Sequence, residues 1–192
     1  MKRKLLKTVS ALLALATLTL AFSGCGKKEK DTYTVGICQL VQHEALDAAT
    51  EGFKAALKDK LGDKVIFDEQ NASGETTNCT TIVSKFVSDK VDLIMANATG
   101  ALTAASQATD TIPIVATSIT DYATALDIKD WNGKTGFNVT GASDLAPLTE
   151  QAKMIKELLP DAKKIGILYC SSEANSKYQS TVIQKELTAL GY

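Results

Sequence analysis

Short apolar runs alternate with longer amphipathic segments from residue 33 onward, and this pattern predicts the fold. Tyr33–Leu40 is an apolar run of the kind that forms a strand buried on both faces. Between Leu46 and Leu61 the apolar residues recur at helical spacing, and Gly62 provides a natural helix stop. The chain therefore begins its folded part with a strand followed by a helix.

The same strand-and-helix unit repeats along the next 80 residues. It predicts strands at 65–67, 91–95 and 112–116, one helix whose apolar face runs from Ile82 to Val87, and an alanine-rich helix at about 100–108. Strands joined by helices indicate an α/β fold with a parallel sheet covered on both faces. We expect a first lobe at residues 32–142.

The remaining segment, residues 143–192, predicts one more such unit. An amphipathic helix runs from Leu145 to Leu158 and ends near Pro160, Lys164–Cys170 is predicted as a strand, and a last helix carries Tyr178 to Leu190. One strand and one helix are too little to enclose a second core of ordinary domain size. We interpret the segment as a crossover helix and the start of a truncated second lobe.

The first 24 residues have the layout of a secretory signal. Four basic residues precede the apolar stretch Val9–Phe22, and small residues lead up to Cys25. The apolar stretch is shorter than the roughly 20 residues of a membrane-spanning helix, so a transmembrane anchor is the weaker alternative. Phe22-Ser23-Gly24 before Cys25 resembles a bacterial lipoprotein processing box, which implies export, lipidation of Cys25, and residues 25–31 as a tether on the outer face of the bacterial cytoplasmic membrane.

Charge and composition exclude several classes of function. Removing the four basic residues of the signal from 21 Lys+Arg leaves 17 against 22 Asp+Glu, a net charge near −5 that disfavours nucleic acid as a partner. Arg3 is the only arginine, so a ligand anion must be held by backbone N–H groups, hydroxyls or lysine. No metal-ligand spacing, phosphate loop or catalytic motif is present, and we expect no enzyme activity, metal or cofactor.

Three cysteines follow Cys25 in the sequence. Cys38 and Cys170 lie in apolar runs, where a buried small hydrophobe is the default interpretation. A disulfide between two of Cys38, Cys79 and Cys170 stays open, because their spacing does not decide it.

Candidate site residues are taken from the segments that follow the predicted strands, because ligands of parallel sheets collect at the carboxyl ends of the strands. These are small hydroxyls, amides and single carboxylates: Gln39, His43, Asn97, Thr99, Ser118, Thr120, Asp121, Thr140, Asp144, Ser171, Ser172 and Asn175. Such residues also cap helices, and capping is an equally simple role for Thr99, Ser171, Ser172, His43 and Asp121. Binding is favoured because the segments coincide at successive strand ends, where helix N-termini can hold a carboxylate without arginine.

Val35–Phe53 resembles the first strand and helix of a family of ABC-transporter substrate-binding lipoproteins whose members are described as tryptophan or tyrosine binding. The likeness continues through Ala98–Leu102, Thr120-Asp121, Asn138–Leu145, Lys156–Gly166 and Ser172–Ser176. Asp130–Phe137 departs from the pattern, which has Pro-Gly-Gly before Asn138. The resemblance implies a type I periplasmic-binding-protein fold, in which two Rossmann-like lobes close on a ligand.

By the same resemblance, Gln39 and His43 border the cleft, Thr99 and Asp121 contact the ligand, and Ser172 and Asn175 reach in from the second lobe. The expected protein is an extracytoplasmic receptor that binds an amino acid, with an aromatic one favoured, and delivers it to ABC permease subunits. Two alternatives keep the same fold: a ligand sensor that signals to a membrane partner, and a receptor for a nucleoside or sugar.

Overall fold

The computed structural model describes residues 31–192, so the predicted signal and Cys25 lie outside the described residues. The elements alternate along the chain: β1 (Tyr33–Gln39), α1 (Glu44–Leu61), a 3₁₀ turn (Gly62–Lys64), β2 (Val65–Asn71), α2 (Thr76–Ser88), β3 (Leu93–Asn97), α3 (Thr99–Ala108), β4 (Ile114–Ile119), α4 (Tyr122–Ala125), β5 (Val139–Ser143), α5 (Leu148–Leu158) and α6 (Ala174–Ala189). Within residues 31–192, no helix combines the length and apolarity that crossing a membrane requires.

The five strands form one parallel sheet in the order β2-β1-β3-β4-β5. Chain order reverses at β1, because β2 lies on one side of it and β3 to β5 lie on the other. In doubly wound sheets this switch point opens a crevice between the carboxyl ends of the two flanking strands, and ligands bind there. The sheet confirms the α/β prediction and places that crevice between β1 and β3.

Alternating side chains of the strands build a separate apolar layer on each face. On one face Val35, Ile37 and Met95 pack under α1, together with Phe53 of that helix. On the other face, β1, β3, β4 and β5 contribute to a larger cluster under α2, α3 and α4. Because β1 is buried on both faces from Val35 to Gln39, it can be apolar without alternation.

Ion pairs connect the edge strand β2 to a helix on each face of the sheet. Asp68 pairs with Lys85 of α2, while the next residue, Glu69, pairs with Lys54 of α1 at 2.8 Å. Successive strand residues point to opposite faces, which explains how neighbours reach different helices. A hydrogen bond from Gln70, together with the Lys85 ammonium, lowers the pKa of Asp68 below its ordinary value.

The predicted boundaries of residues 138–148 are wrong in two respects. The sequence analysis counts Thr140 among the residues that follow a strand, yet Val139–Ser143 is itself the fifth strand, parallel to β4. Asn138 anchors its start, because the side-chain amide donates to the carbonyls of Thr109 (3.1 Å) and Ile112 (2.6 Å). The following helix begins at Leu148 rather than Leu145, which is exposed.

The strand predicted at Lys164–Cys170 is absent from the described residues. A strand needs a neighbour to satisfy its backbone groups, and this segment has no ladder partner there. Its apolar side chains are consequently exposed, and Leu168 is fully exposed. Cys170 is exposed as well, so its expected burial is wrong, whereas Cys38 is fully buried as predicted.

Candidate functional site

Backbone hydrogen bonds continue beyond the carboxyl ends of the strands and place the segments that follow neighbouring strands side by side. Leu40 N–H donates to the Asn97 carbonyl at 3.1 Å, and Ala98 N–H donates to the Thr117 carbonyl at 3.0 Å. Asp144 N–H likewise donates to the Ile119 carbonyl at 3.0 Å. The segments after β1, β3, β4 and β5 therefore form one edge, called the carboxyl edge below.

Three segments meet at the switch point of this edge. A β-carbon added at Gly100, in the first turn of α3, would lie 3.3 Å from Leu40 after β1 and 3.6 Å from Thr76 at the start of α2. The absence of a side chain at Gly100 thus lets the N-termini of α2 and α3 approach the end of β1. Such convergence of helix N-termini favours an anion at this point.

A buried polar network lies beneath the switch point and ties α1 to the sheet. Thr50 donates to Gln39 Oε1 at 2.7 Å and accepts from Asn97 Nδ2 at 2.9 Å. Gln39 Nε2 in turn donates to Asp47 Oδ1 at 2.6 Å. Gln39 and Asn97 were predicted to bind ligand, and the structure places them 4% and 0% exposed inside this network. They support the edge from below.

Asn97, a member of that network, has a side-chain atom without a hydrogen-bond partner in the described part of the chain. Its Oδ1 is the buried side-chain oxygen or nitrogen that lacks a hydrogen-bond partner among residues 31–192. A buried acceptor left without a donor costs about 1–3 kcal/mol. Unsatisfied groups of this kind are rare and concentrate where function constrains the structure.

The backbone is strained at the matching positions after β3 and within β4. Ala98 has φ 84° and Ser118 has φ 58°, values that residues with side chains seldom adopt. Ala98 is the N-cap of α3 and supplies no side-chain cap, so Thr99 is not the cap that its residue type suggested. Within residues 31–192, the first N–H groups of α3 consequently have no side-chain acceptor at the carboxyl edge.

His43 and Asp121 cap helices, as their positions allowed. His43 Nδ1 accepts from Ala45 N–H at 3.2 Å at the start of α1. Asp121 Oδ2 accepts from Thr124 N–H at 2.7 Å. The His43 side chain is exposed and Asp121 is half-buried. Both remain able to contact a ligand while they cap.

Hydrogen bonds connect Thr120 and Tyr122, which directly follow β4, to the strands β4 and β5. Ser143 Oγ donates to the Thr120 carbonyl at 3.1 Å, and the Tyr122 hydroxyl contacts the carbonyls of Ala116 (3.1 Å) and Ala142 (3.3 Å). Burial, assisted by the negative charge of Asp144, raises the pKa of Tyr122 to about 12. Thr140, by contrast, lies exposed on β5.

The three candidates from the second predicted lobe make local contacts. Ser172 Oγ lies 3.1 Å from the Cys170 sulfur, and Asn175 Nδ2 donates to Glu173 at 3.5 Å. Ser171 is exposed, and Glu173 rather than a serine is the N-cap of α6. No hydrogen bond in the described part of the chain joins these residues to the carboxyl edge.

Cavities flank the carboxyl edge on both sides. A cavity of about 260 Å³ lies beside the Gln39 network and includes Asp47 and Asn71. A larger one, of about 500 Å³, lies along the open side of β5 between Tyr122, Trp131 and Phe137. The larger cavity is lined by the edge strand β5 rather than by several strand ends. We therefore assign the site to the switch point, although the cavity beside the Gln39 network is smaller.

Sequence reasoning missed Thr50, Asp47 and Ala98. Thr50 carried a usable signal, because it is a polar residue in the apolar stripe formed by Leu46 and Phe53 on α1. Ala98 carried none, since its unusual φ depends on the tertiary structure. Among residues 31–192, no cluster of three or more His, Cys, Asp or Glu side chains is suited to a metal.

Comparisons with known proteins agree on one family. A family model described as ABC transporter substrate binding protein matches residues 34–191. The tyrosine-binding protein of Clostridioides difficile (strain R20291) is 46% identical over 156 residues, which cover 80% of this chain and 44% of the relative.

Solved structures give the same result and define the fold. A conserved domain protein from Vibrio cholerae superposes with a TM-score of 0.77 at 36% identity, covering 83% of this chain and 55% of the other. An ABC domain from Streptococcus pneumonia in complex with L-Trp gives a TM-score of 0.76 at 34% identity, with the same coverages. The fold is that of type I periplasmic binding proteins, and the chain spans about half the length of these relatives.

Proposed function

Because the chain belongs to the family of ABC transporter substrate-binding proteins, we propose that it binds an aromatic amino acid at the carboxyl edge for an ABC importer. Proteins of this family work outside the cytoplasm and perform no chemistry on their ligand. The protein reaches that compartment through the signal at residues 1–24 and stays at the membrane through lipidated Cys25. Its partners are then the permease subunits of the importer.

The observation that carries the proposal is the uncapped N-terminus of α3 at the switch point. Its first N–H groups have no side-chain acceptor, and the helix dipole adds partial positive charge there. A ligand carboxylate can therefore be held without arginine, which the described chain lacks. Asp121, on the neighbouring loop, supplies the negative charge that an ammonium group needs.

The identity of the ligand is supported by relatives and by the charge pattern. One relative is named a tyrosine-binding protein, and one solved relative holds L-Trp. A zwitterion matches a site with an uncapped helix N-terminus at Ala98 and a carboxylate at Asp121. In this proposal Thr99 and Ser118 line the first lobe's half of the cleft, and Ser172 and Asn175 close it from the second lobe.

A thermal-shift screen tests the ligand class. The complete protein without residues 1–25 is heated with each amino acid and with panels of nucleosides and sugars. A ligand at about 100 times its Kd contributes about 2.7 kcal/mol, which raises the midpoint by about 5–10 °C. Shifts with tyrosine or tryptophan support the proposal, whereas shifts only with a sugar or nucleoside would discard the ligand.

Asp121→Asn tests the site itself. Asparagine caps a helix as well as aspartate does, so the variant should keep its fold while it loses the charge. Removing a charged hydrogen-bond partner should weaken amino-acid binding about 10- to 100-fold. Asp110→Asn is the matched control, because Asp110 is exposed and precedes β4 at the opposite edge of the sheet. Equal affinity in both variants would remove Asp121 from the site.

A further inference from the structure

Two of the cysteines face each other inside the core. Cys38 is the penultimate residue of β1, Cys79 lies in the first turn of α2, and both are fully buried in the same cluster. Phe86 lies two turns after Cys79, on the same face of α2. A β-carbon added at Gly36 would lie 2.6 Å from the Phe86 ring, so α2 packs directly on the face of β1 that carries Gly36 and Cys38.

Hydrogen bonds to Ala72 hold the two cysteines in this arrangement. Ala72 N–H donates to the carbonyl of Gln39, which follows Cys38, at 2.8 Å. The Ala72 carbonyl accepts from the side chain of Asn78, which precedes Cys79, at 3.0 Å. One buried residue thus connects the neighbours of both cysteines, which lie in one apolar cluster.

We propose that Cys38 and Cys79 form a disulfide when the chain folds in an oxidising compartment, which fastens α2 to β1 behind the carboxyl edge. The proposal rests on the export that the proposed function requires, because such bonds persist outside the cytoplasm and are rare within it. The bond closes a loop containing α1 and β2, and it leaves Gln39, the next residue, in its network.

The chemistry is an exchange with a small disulfide oxidant such as glutathione disulfide. Both S–H bonds break, the Cys38–Cys79 bond forms, and the two protons and two electrons pass to the oxidant, which leaves as two thiols. Contact with the Cys79 thiol and burial raise the pKa of Cys38 far above its ordinary value. Because both cysteines are fully buried in the folded protein, the oxidant can reach them only while the core is still assembling.

Cys170 could compete with Cys38 and Cys79 for disulfide formation, and it serves as an exposed control thiol. It is exposed, and a hydrogen bond with Ser172 lowers its pKa below the ordinary thiol value. An exposed thiol with a lowered pKa reacts readily with the oxidant. It should form a mixed disulfide with glutathione rather than a bond to either buried cysteine, because both of its possible partners lie in the core.

Disulfide mapping by mass spectrometry tests the proposal. The complete protein without residues 1–25 is unfolded, refolded in a glutathione and glutathione disulfide buffer, quenched in acid, and digested without reduction for mass spectrometry. We expect a linked peptide pair containing Cys38 and Cys79, and Cys170 free or joined to glutathione. Recovery of Cys38 and Cys79 as free thiols, or of either one linked to Cys170, would overturn the proposal.

Thermal unfolding provides the second measurement. Reduction should lower the midpoint of the wild-type protein by about 5–15 °C, while a Cys38→Ala, Cys79→Ala variant should unfold at one midpoint with and without reductant. Cys170→Ser should respond to reductant as the wild type does. The ligand screen is repeated on reduced protein, so loss of binding and loss of the disulfide are read separately. An unchanged wild-type midpoint on reduction would contradict the proposal.

Discussion

Replacing Thr50 with Val removes the hydroxyl that joins α1 to β1 and β3 while it nearly preserves the side-chain volume. Two short hydrogen bonds are lost, one to Gln39 at 2.7 Å and one from Asn97 at 2.9 Å. Gln39 Oε1 then retains only the Asn97 amide at 3.4 Å in the described chain. Each lost bond costs about 0.5–1.5 kcal/mol, so Thr50→Val should lower the free energy of unfolding by about 2 kcal/mol.

Urea denaturation measures this loss. With an m value of about 2 kcal/mol/M, the midpoint should fall by about 1 M while m stays unchanged. Thr80→Val is the matched control, because Thr80 is exposed on α2 and its hydroxyl only contacts the Thr76 carbonyl at 3.5 Å. We expect that control to lie within about 0.5 kcal/mol of wild type. A Thr50→Val protein as stable as the control would refute the assigned role of the network.

The other predictions concern the β4–β5 edge and can be measured by the same method. Gly141→Ala should lower the free energy of unfolding by about 1–3 kcal/mol, because the added β-carbon would overlap the Ala116 carbonyl and the Tyr122 hydroxyl. The control Gly52→Ala, in an open stretch of α1, should instead raise it by about 0.5–1 kcal/mol. Equal effects of the two substitutions would contradict the overlap. Because burial raises the pKa of Tyr122 to about 12, the folded state holds its proton more tightly than the unfolded state does, and wild-type stability should fall by up to about 3 kcal/mol between pH 10 and 12. Tyr122→Phe should lack that part of the decline, and parallel pH curves would be evidence against it.

The first half of the fold was predictable because its signals are local. The mainly apolar run at Tyr33–Leu40 and the helical spacing up to Leu61 each indicate their element from its own residues. Val139–Ser143 was missed because only Val139 is buried there, and the strand exists through pairing with β4. The strand predicted at Lys164–Cys170 failed for the converse reason, since its apolar run has no neighbouring strand among residues 31–192.

The sequence could predict that the candidate residues lie at neighbouring strand ends, but not which of them support the structure and which face the ligand. Sequence position placed Gln39, Asn97 and Asp121 together, because parallel strands bring their carboxyl ends to one edge. It could not show that Gln39 and Asn97 turn inward to Thr50, since side-chain direction at a strand end depends on the helix packed above it. Nor could it show that the N-terminus of α3 lacks a side-chain cap, which follows from the backbone at Ala98.

We propose that the carboxyl edge holds the carboxylate and ammonium of an aromatic amino acid. Isothermal titration calorimetry of the complete protein tests this binding, with L-tyrosine and L-tryptophan compared with tyramine, which lacks the carboxylate, and 3-(4-hydroxyphenyl)propionate, which lacks the ammonium. We expect saturable binding of tyrosine or tryptophan and at least about 10-fold weaker binding of both analogues. Tyramine binding as tightly as tyrosine, or no heat with either amino acid, would contradict it.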